Sequence, residues 1–167
     1  MKTKILFLFM LMSIVFFSGC KEDGGDAVWD IYPVVYSISI VDTNGNDLLN
    51  PATPGALDYS KIKAVYKNKD YSCQKQEAIT STKAYLPQFY GLQLRQDKGR
   101  FMLDFGELEG AESYKNETIR LDYGDGSSDE ISFNRDFKWN KQNEPVISQK
   151  WFLNGREVDD YPIRIVK

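Results

Sequence analysis

Apolar and polar positions alternate along this chain in short runs, and turn residues separate the runs. Val34, Tyr36, Ile38 and Ile40 alternate with Val35, Ser37, Ser39 and Val41. That period of two predicts a strand with one buried face. Thr43-Asn44-Gly45-Asn46-Asp47 turns the chain, and Pro51 and Pro54 make residues 50–55 a loop. Ile62, Ala64 and Tyr66 alternate with Lys61, Lys63 and Lys67, which predicts a half-buried strand with a basic outer face. Asn68-Lys69-Asp70 reads as a turn into residues 71–74.

Residues 75–85 are polar and weakly patterned. Further strands are expected over residues 89–95 and 101–105, joined by Asp97-Lys98-Gly99. Residues 107–117 read as a polar loop. Ile119, Leu121 and Tyr123 form a strand, Gly124 to Ser128 a turn, and Ile131 and Phe133 the return strand, with Phe137 and Trp139 beyond it. Trp151-Phe152-Leu153 runs into Asn154-Gly155, a strong hairpin signal, and Ile163 to Val166 closes the chain as a strand. Only residues 56–61 leave room for a helical turn. About eight or nine short strands with regular turns predict an all-β chain, an immunoglobulin-like or related antiparallel β-sandwich. Trp139 and Trp151 are expected in its core.

The N-terminus breaks this pattern. Lys2 and Lys4 precede an apolar run over residues 5–17 that is interrupted only by Ser13. The run is shorter than the roughly 20 residues a membrane span needs, so it reads as a secretory signal. Ser18-Gly19-Cys20 has the small-small-Cys form of a lipoprotein cleavage box. The expected organisation is a signal peptide over 1–19, an acylated Cys20 with an acidic tether over 20–30, and one β-sandwich domain over 31–167. Two or more acyl chains would anchor the chain stably in a membrane. A strand directly after the tether would put the lipid at one end of the sandwich and the opposite loops away from the membrane.

Charge and composition narrow the function. Cleavage removes Lys2 and Lys4 from the 21 basic residues, leaving 19 against 24 acidic ones, a net charge of about −5. That balance argues against nucleic acid and anionic lipid as partners. The chain has no His. Ser-His-Asp and Cys-His nucleophiles and His-ligated zinc are therefore excluded. Of the two cysteines, Cys20 is committed to lipid, and Cys73 is left without a disulfide partner. Cys73 reads as a small buried hydrophobe, because no His or basic cluster stands near it in sequence to lower its pKa. Carboxylates are plentiful, but nothing selects a glycosidase-type pair, and no catalytic site is expected.

Three features carry candidate chemistry. Asp42, Asn44 and Asn46 place oxygen ligands at alternate positions, like the opening of a calcium loop. An EF-hand would require Gly where Asp47 stands and Glu where Thr53 stands. The segment is therefore either a looser calcium turn or a polar hairpin turn. Trp29, and the cluster of Tyr85, Phe89 and Tyr90 around Pro87, are the aromatics most available to stack on a sugar or anchor a protein partner. Asp125, Asp129 and Glu130 add acid density around the third feature, Leu121-Asp122-Tyr123-Gly124-Asp125-Gly126-Ser127.

That last run resembles the Asp-Phe-Gly-Asp-Gly signature of PKD-type sandwich repeats, where the motif is chiefly a structural turn. Lys21-Glu22-Asp23-Gly24-Gly25-Asp26 resembles the signal with which gut Bacteroidota send lipoproteins to the outer face of the outer membrane. Residues 30–34 (Asp-Ile-Tyr-Pro-Val), residues 40–51 and the closing Trp151-Phe152-Leu153-Asn154-Gly155 are similar to a group of uncharacterised Bacteroidales surface lipoproteins. These resemblances imply an outer-membrane address, with Lys21, Glu22 and Asp23 as the export signal, and they imply no activity. The resulting expectation is a non-catalytic binding or accessory module for a glycan or an envelope protein. The alternative is a purely structural envelope lipoprotein that acts through protein–protein assembly.

Overall fold

The computed structural model describes residues 29–76 and 88–167. Two compact units are distinguished, Met1–Asp30 and Ile31–Lys167. Cys20, Lys21, Glu22, Asp23 and Tyr85 lie outside the described residues.

The second unit is all-β. Its strands are β1 Val34–Val41, β2 Lys63–Tyr66, β3 Lys69–Ser72, β4 Gln74–Lys75, β5 Gly91–Asp97, β6 Arg100–Leu108, β7 Tyr114–Asp122, β8 Ser128–Trp139, β9 Pro145–Leu153, β10 Arg156–Val158 and β11 Ile163–Val166. They form a five-stranded sheet in the order β11-β1-β6-β5-β4 and a six-stranded sheet in the order β10-β9-β8-β7-β2-β3. The five-stranded sheet is mixed, because β11 pairs with β1 and β4 with β5 in parallel, and the six-stranded sheet is antiparallel throughout.

Period-two alternation aims one row of each strand at the other sheet. Tyr36, Ile38 and Ile40 of β1, Leu103 and Phe105 of β6, Ile119 and Leu121 of β7, and Ile131 and Phe133 of β8 are fully buried. Two ring pairs close the gap between the sheets. Tyr36 meets Phe133 at 4.3 Å between centroids, and Tyr66 meets Phe105 edge-on at 5.5 Å. Each large side chain buried this way contributes about 1.5–3 kcal/mol. Cys73 joins the core, and burial pushes its thiol pKa up to about 12.

Several local expectations are corrected. The described strands number eleven because β4 has two residues and β10 three. The turn between β2 and β3 is Lys67-Asn68, with φ of 49° and 61°, so Lys69 and Asp70 are strand residues. The region 107–117 is mostly strand, since β6 runs to Leu108 and β7 starts at Tyr114. β8 runs unbroken to Trp139, and β9 begins at Pro145. Trp139 is exposed, not core. Asn154-Gly155 does form the β9–β10 hairpin turn, with φ of 49° and 78°. One 3₁₀ turn, Tyr59–Lys61, is capped by the Asp58 side chain.

Candidate functional site

The site grows from the register of β8 against β9. Phe133 opposes Trp151, Arg135 opposes Gln149, Phe137 opposes Ile147, and Trp139 opposes Pro145. Directly opposed residues share a face, so this row continues the core face of Ile131 and Phe133. Burial fades along it. Phe133 is fully buried and Arg135 is 4% exposed, whereas Trp139 and Ile147 are 47% and 48% exposed. The hairpin thus carries a core-facing row out into solvent.

β1 supplies the opposite wall. β11 pairs with β1 only from Ile38 onward, so among the described residues no strand pairs with the earlier part of β1 on that side. Tyr161 covers this stretch from the loop between β10 and β11. Its hydroxyl donates a 2.8 Å hydrogen bond to the Val35 carbonyl, and its ring stacks on Trp151 at 5.6 Å and 28°. Between the walls lies an open cleft of about 440 Å³, lined by Tyr36, Arg135, Ile147, Gln149, Trp151 and Tyr161 among others.

The cleft's polar side chains include the donors Arg135 and Gln149 and the Tyr36 hydroxyl. Arg135 Nη1 donates to the Glu112 carbonyl at 2.7 Å, and the guanidinium lies 5.8 Å from the Phe137 ring centroid. No carboxylate pairs with Arg135 among the described residues. Gln149 Nε2 donates to the Tyr36 hydroxyl across 3.4 Å, a long contact. Burial pushes the Tyr36 phenol pKa up, against the Gln149 hydrogen bond and the Arg135 charge. The Trp151 indole N–H is buried with no hydrogen-bond partner among the described residues. The arrangement offers ring faces and N–H donors, a combination suited to binding.

The aromatics singled out from sequence fall elsewhere. Phe89 packs edge-on against Tyr71 at 5.2 Å and Phe105 at 5.4 Å, beside a second opening of about 410 Å³. Lys67 and Lys69 sit over the rings of Tyr66 and Tyr71, so those faces are already occupied. Tyr90 is exposed and borders a small recess with Gln93 and Glu107. Trp29 is exposed and belongs to the first unit. Sequence reasoning missed Arg135, Gln149 and Tyr161 as site residues, while Trp151, expected in the core, packs half-buried against it and also lines the cleft. The available signal was the odd-numbered row from Ile131 to Trp139, longer than one buried face requires.

The two acidic turns are self-satisfied. Asp42 accepts from the Asn44 and Asn46 amides, each at 2.8 Å, and from the Asn46 side chain at 2.7 Å. These bonds, led by the Asn46 side chain, hold the Asp42 carboxyl below its usual range. Asp47 turns the other way and accepts from the Leu49 and Phe101 amides. Among the described residues, no group of three or more His, Cys, Asp or Glu could hold a metal ion. In the 122–127 turn, Asp122 accepts from the Gly124 amide and Asp125 from the Ser127 amide and hydroxyl. Tyr123 donates to Asp129, which also meets Lys167 at 2.9 Å.

No protein-family model, curated protein or solved structure matches this chain. What is established is therefore the class, an all-β sandwich of two packed sheets. Among the described residues, no helix is long and apolar enough to cross a membrane.

Proposed function

We propose that the chain is a lipid-anchored, non-catalytic binding module on the outer surface of a bacterial outer membrane, and that the β1–β9 cleft is its glycan site. The observation that carries this reading is the stacked Trp151–Tyr161 pair beside the Arg135 and Gln149 donors. Sugar rings present C–H faces that stack on aromatic rings, while their hydroxyls and ring oxygens accept hydrogen bonds. Among the described residues that line the cleft no carboxylate stands ready as acid or base, which supports binding over turnover. The lipobox at Cys20 and the run Lys21-Glu22-Asp23 support the address.

A thermal-shift screen of the full-length protein in detergent against host and plant glycans tests the binding reading. A ligand that binds only the folded state raises Tm saturably. The expected result is such a rise with one glycan class. A flat screen overturns the glycan site, and product release from any bound glycan overturns the non-catalytic reading. For the address, neutral residues in place of Glu22 and Asp23 should leave the protein facing the periplasm. Undiminished cleavage by external protease would count against the export signal.

A second reading has its own support. Trp139, Val146 and Ile147 are all exposed near the end of the β8–β9 hairpin. Exposed apolar residues so placed suit a protein partner, as a structural envelope lipoprotein would need. Cross-linking that recovers a stable complex, with no glycan affinity, favours that reading.

A further inference from the structure

Arg135 is the one charged residue among the buried polar side chains of the described chain. A buried charge is ordinarily paired with an opposite charge, because taking it out of water costs several kcal/mol. Arg135 has no such pair among the described residues. Its one hydrogen bond there, from Nη1 to the Glu112 carbonyl, engages one corner of the guanidinium. A guanidinium is a planar fork of five donors, and its natural complement is an oxyanion bound through two parallel N–H groups.

The surroundings position rather than neutralise this charge. The Phe137 ring lies at 5.8 Å, and Gln149 opposes Arg135 across the β8–β9 ladder. Arg135 also lines the cleft that holds the Trp151–Tyr161 stack. A ring that stacks and a charged fork without a counter-ion therefore share one opening. Neutral sugar hydroxyls would leave the charge uncompensated, whereas a carboxylate or sulfate on the sugar would pair with it.

We propose that the cleft selects an acidic saccharide, with the Arg135 guanidinium pairing the sugar's carboxylate or sulfate and the Trp151–Tyr161 pair stacking on its ring. This rests on the glycan reading of the cleft and adds the ligand's charge.

The test is calorimetry with the full-length protein in detergent. Sialylated, uronate-containing and sulfated oligosaccharides are each compared with their neutral parents. The expected result is at least tenfold tighter binding of one acidic sugar than of its neutral parent, with affinity falling as salt rises. Which anion wins distinguishes carboxylate from sulfate. Arg135→Gln should abolish the preference, and Arg135→Lys should keep part of it, because the charge remains without the fork. Equal affinity for acidic and neutral forms overturns the acidic inference and leaves the glycan site standing. No binding of any sugar overturns both. The comparison of sugars uses the unaltered protein, so it decides the matter even if the variants do not fold.

Discussion

Trp151 and Tyr161 stack at 5.6 Å between centroids although one lies on a strand of the six-stranded sheet and the other on the loop leading to β11. The loop is held by the Tyr161 hydroxyl on the Val35 carbonyl. The two functions of Tyr161 are therefore separable. Tyr161→Phe keeps the ring and loses the hydrogen bond, which should cost about 1 kcal/mol or less and leave glycan affinity within a few-fold. Tyr161→Ala removes the stacked face and should weaken binding at least tenfold. Denaturant melts and calorimetry with the glycan found by screening check the pair. Equal loss of affinity in both variants would show that the hydroxyl, not the ring, meets the ligand.

Gly124 and Gly126 sit in one turn, both at positive φ, of 75° and 90°. They differ in their surroundings. A Cβ at Gly124 would lie 2.8 Å from Lys61 Cβ and 3.0 Å from the Lys61 carbonyl oxygen, while nothing stands within 4 Å at Gly126. Gly126→Ala should cost about 1 kcal/mol for the backbone strain alone, and Gly124→Ala about 3 kcal/mol. Chemical denaturation of both variants measures the difference. Equal costs would mean that Lys61 yields, and that the turn does not brace the segment before β2.

The calcium reading of Asp42, Asn44 and Asn46 meets a specific obstacle. Three donors of the same turn already occupy the Asp42 carboxylate, and a cation would have to displace them. EDTA should therefore leave Tm unchanged, and added calcium should not raise it; a shift of several degrees in either experiment would restore the ion. Asp47 carries the structural burden instead, joining the Leu49 and Phe101 amides. Asp47→Ala strands both amides and should cost about 2 kcal/mol. A melt of that variant indistinguishable from the parent would show that water satisfies them.

The legible parts of the fold were those in which local chemistry and tertiary burial agree. Tyr36, Ile38 and Ile40 alternate in sequence and are buried in the structure, and Asn154-Gly155 turns where its propensity says it should. The β2–β3 turn starts one residue before the expected Asn68-Lys69-Asp70 because Lys67 adopts φ of 49° without being glycine. The 107–117 stretch hid its strands because Glu107, Glu109, Glu112, Lys115 and Glu117 leave no run of alternating apolar residues there. The site was least legible. Arg135 interrupts the apolar row between Phe133 and Phe137, so a pattern search ends the strand where the structure continues it. Tyr161 reaches the cleft from a loop distant in sequence, two residues before β11, whose parallel pairing with β1 begins at Ile163.

Cys73 gives a measurement that reaches both the core and the membrane anchor. Its thiol is buried, and burial raises its pKa to about 12, against about 8.5 for an unfolded cysteine. The neutral thiol is thus the form the fold favours. Its contribution to stability is complete below about pH 8.5 and is lost as pH rises toward 12. Native protein at pH 8 should resist iodoacetamide, since the thiolate is the reactive species. In strong guanidinium chloride one thiol per chain should react if Cys20 carries lipid. Two reactive thiols after unfolding would show Cys20 to be free and remove the basis of the anchor. Rapid labelling of the folded protein would instead show that Cys73 is accessible, and that the core between the sheets opens on the timescale of the reaction.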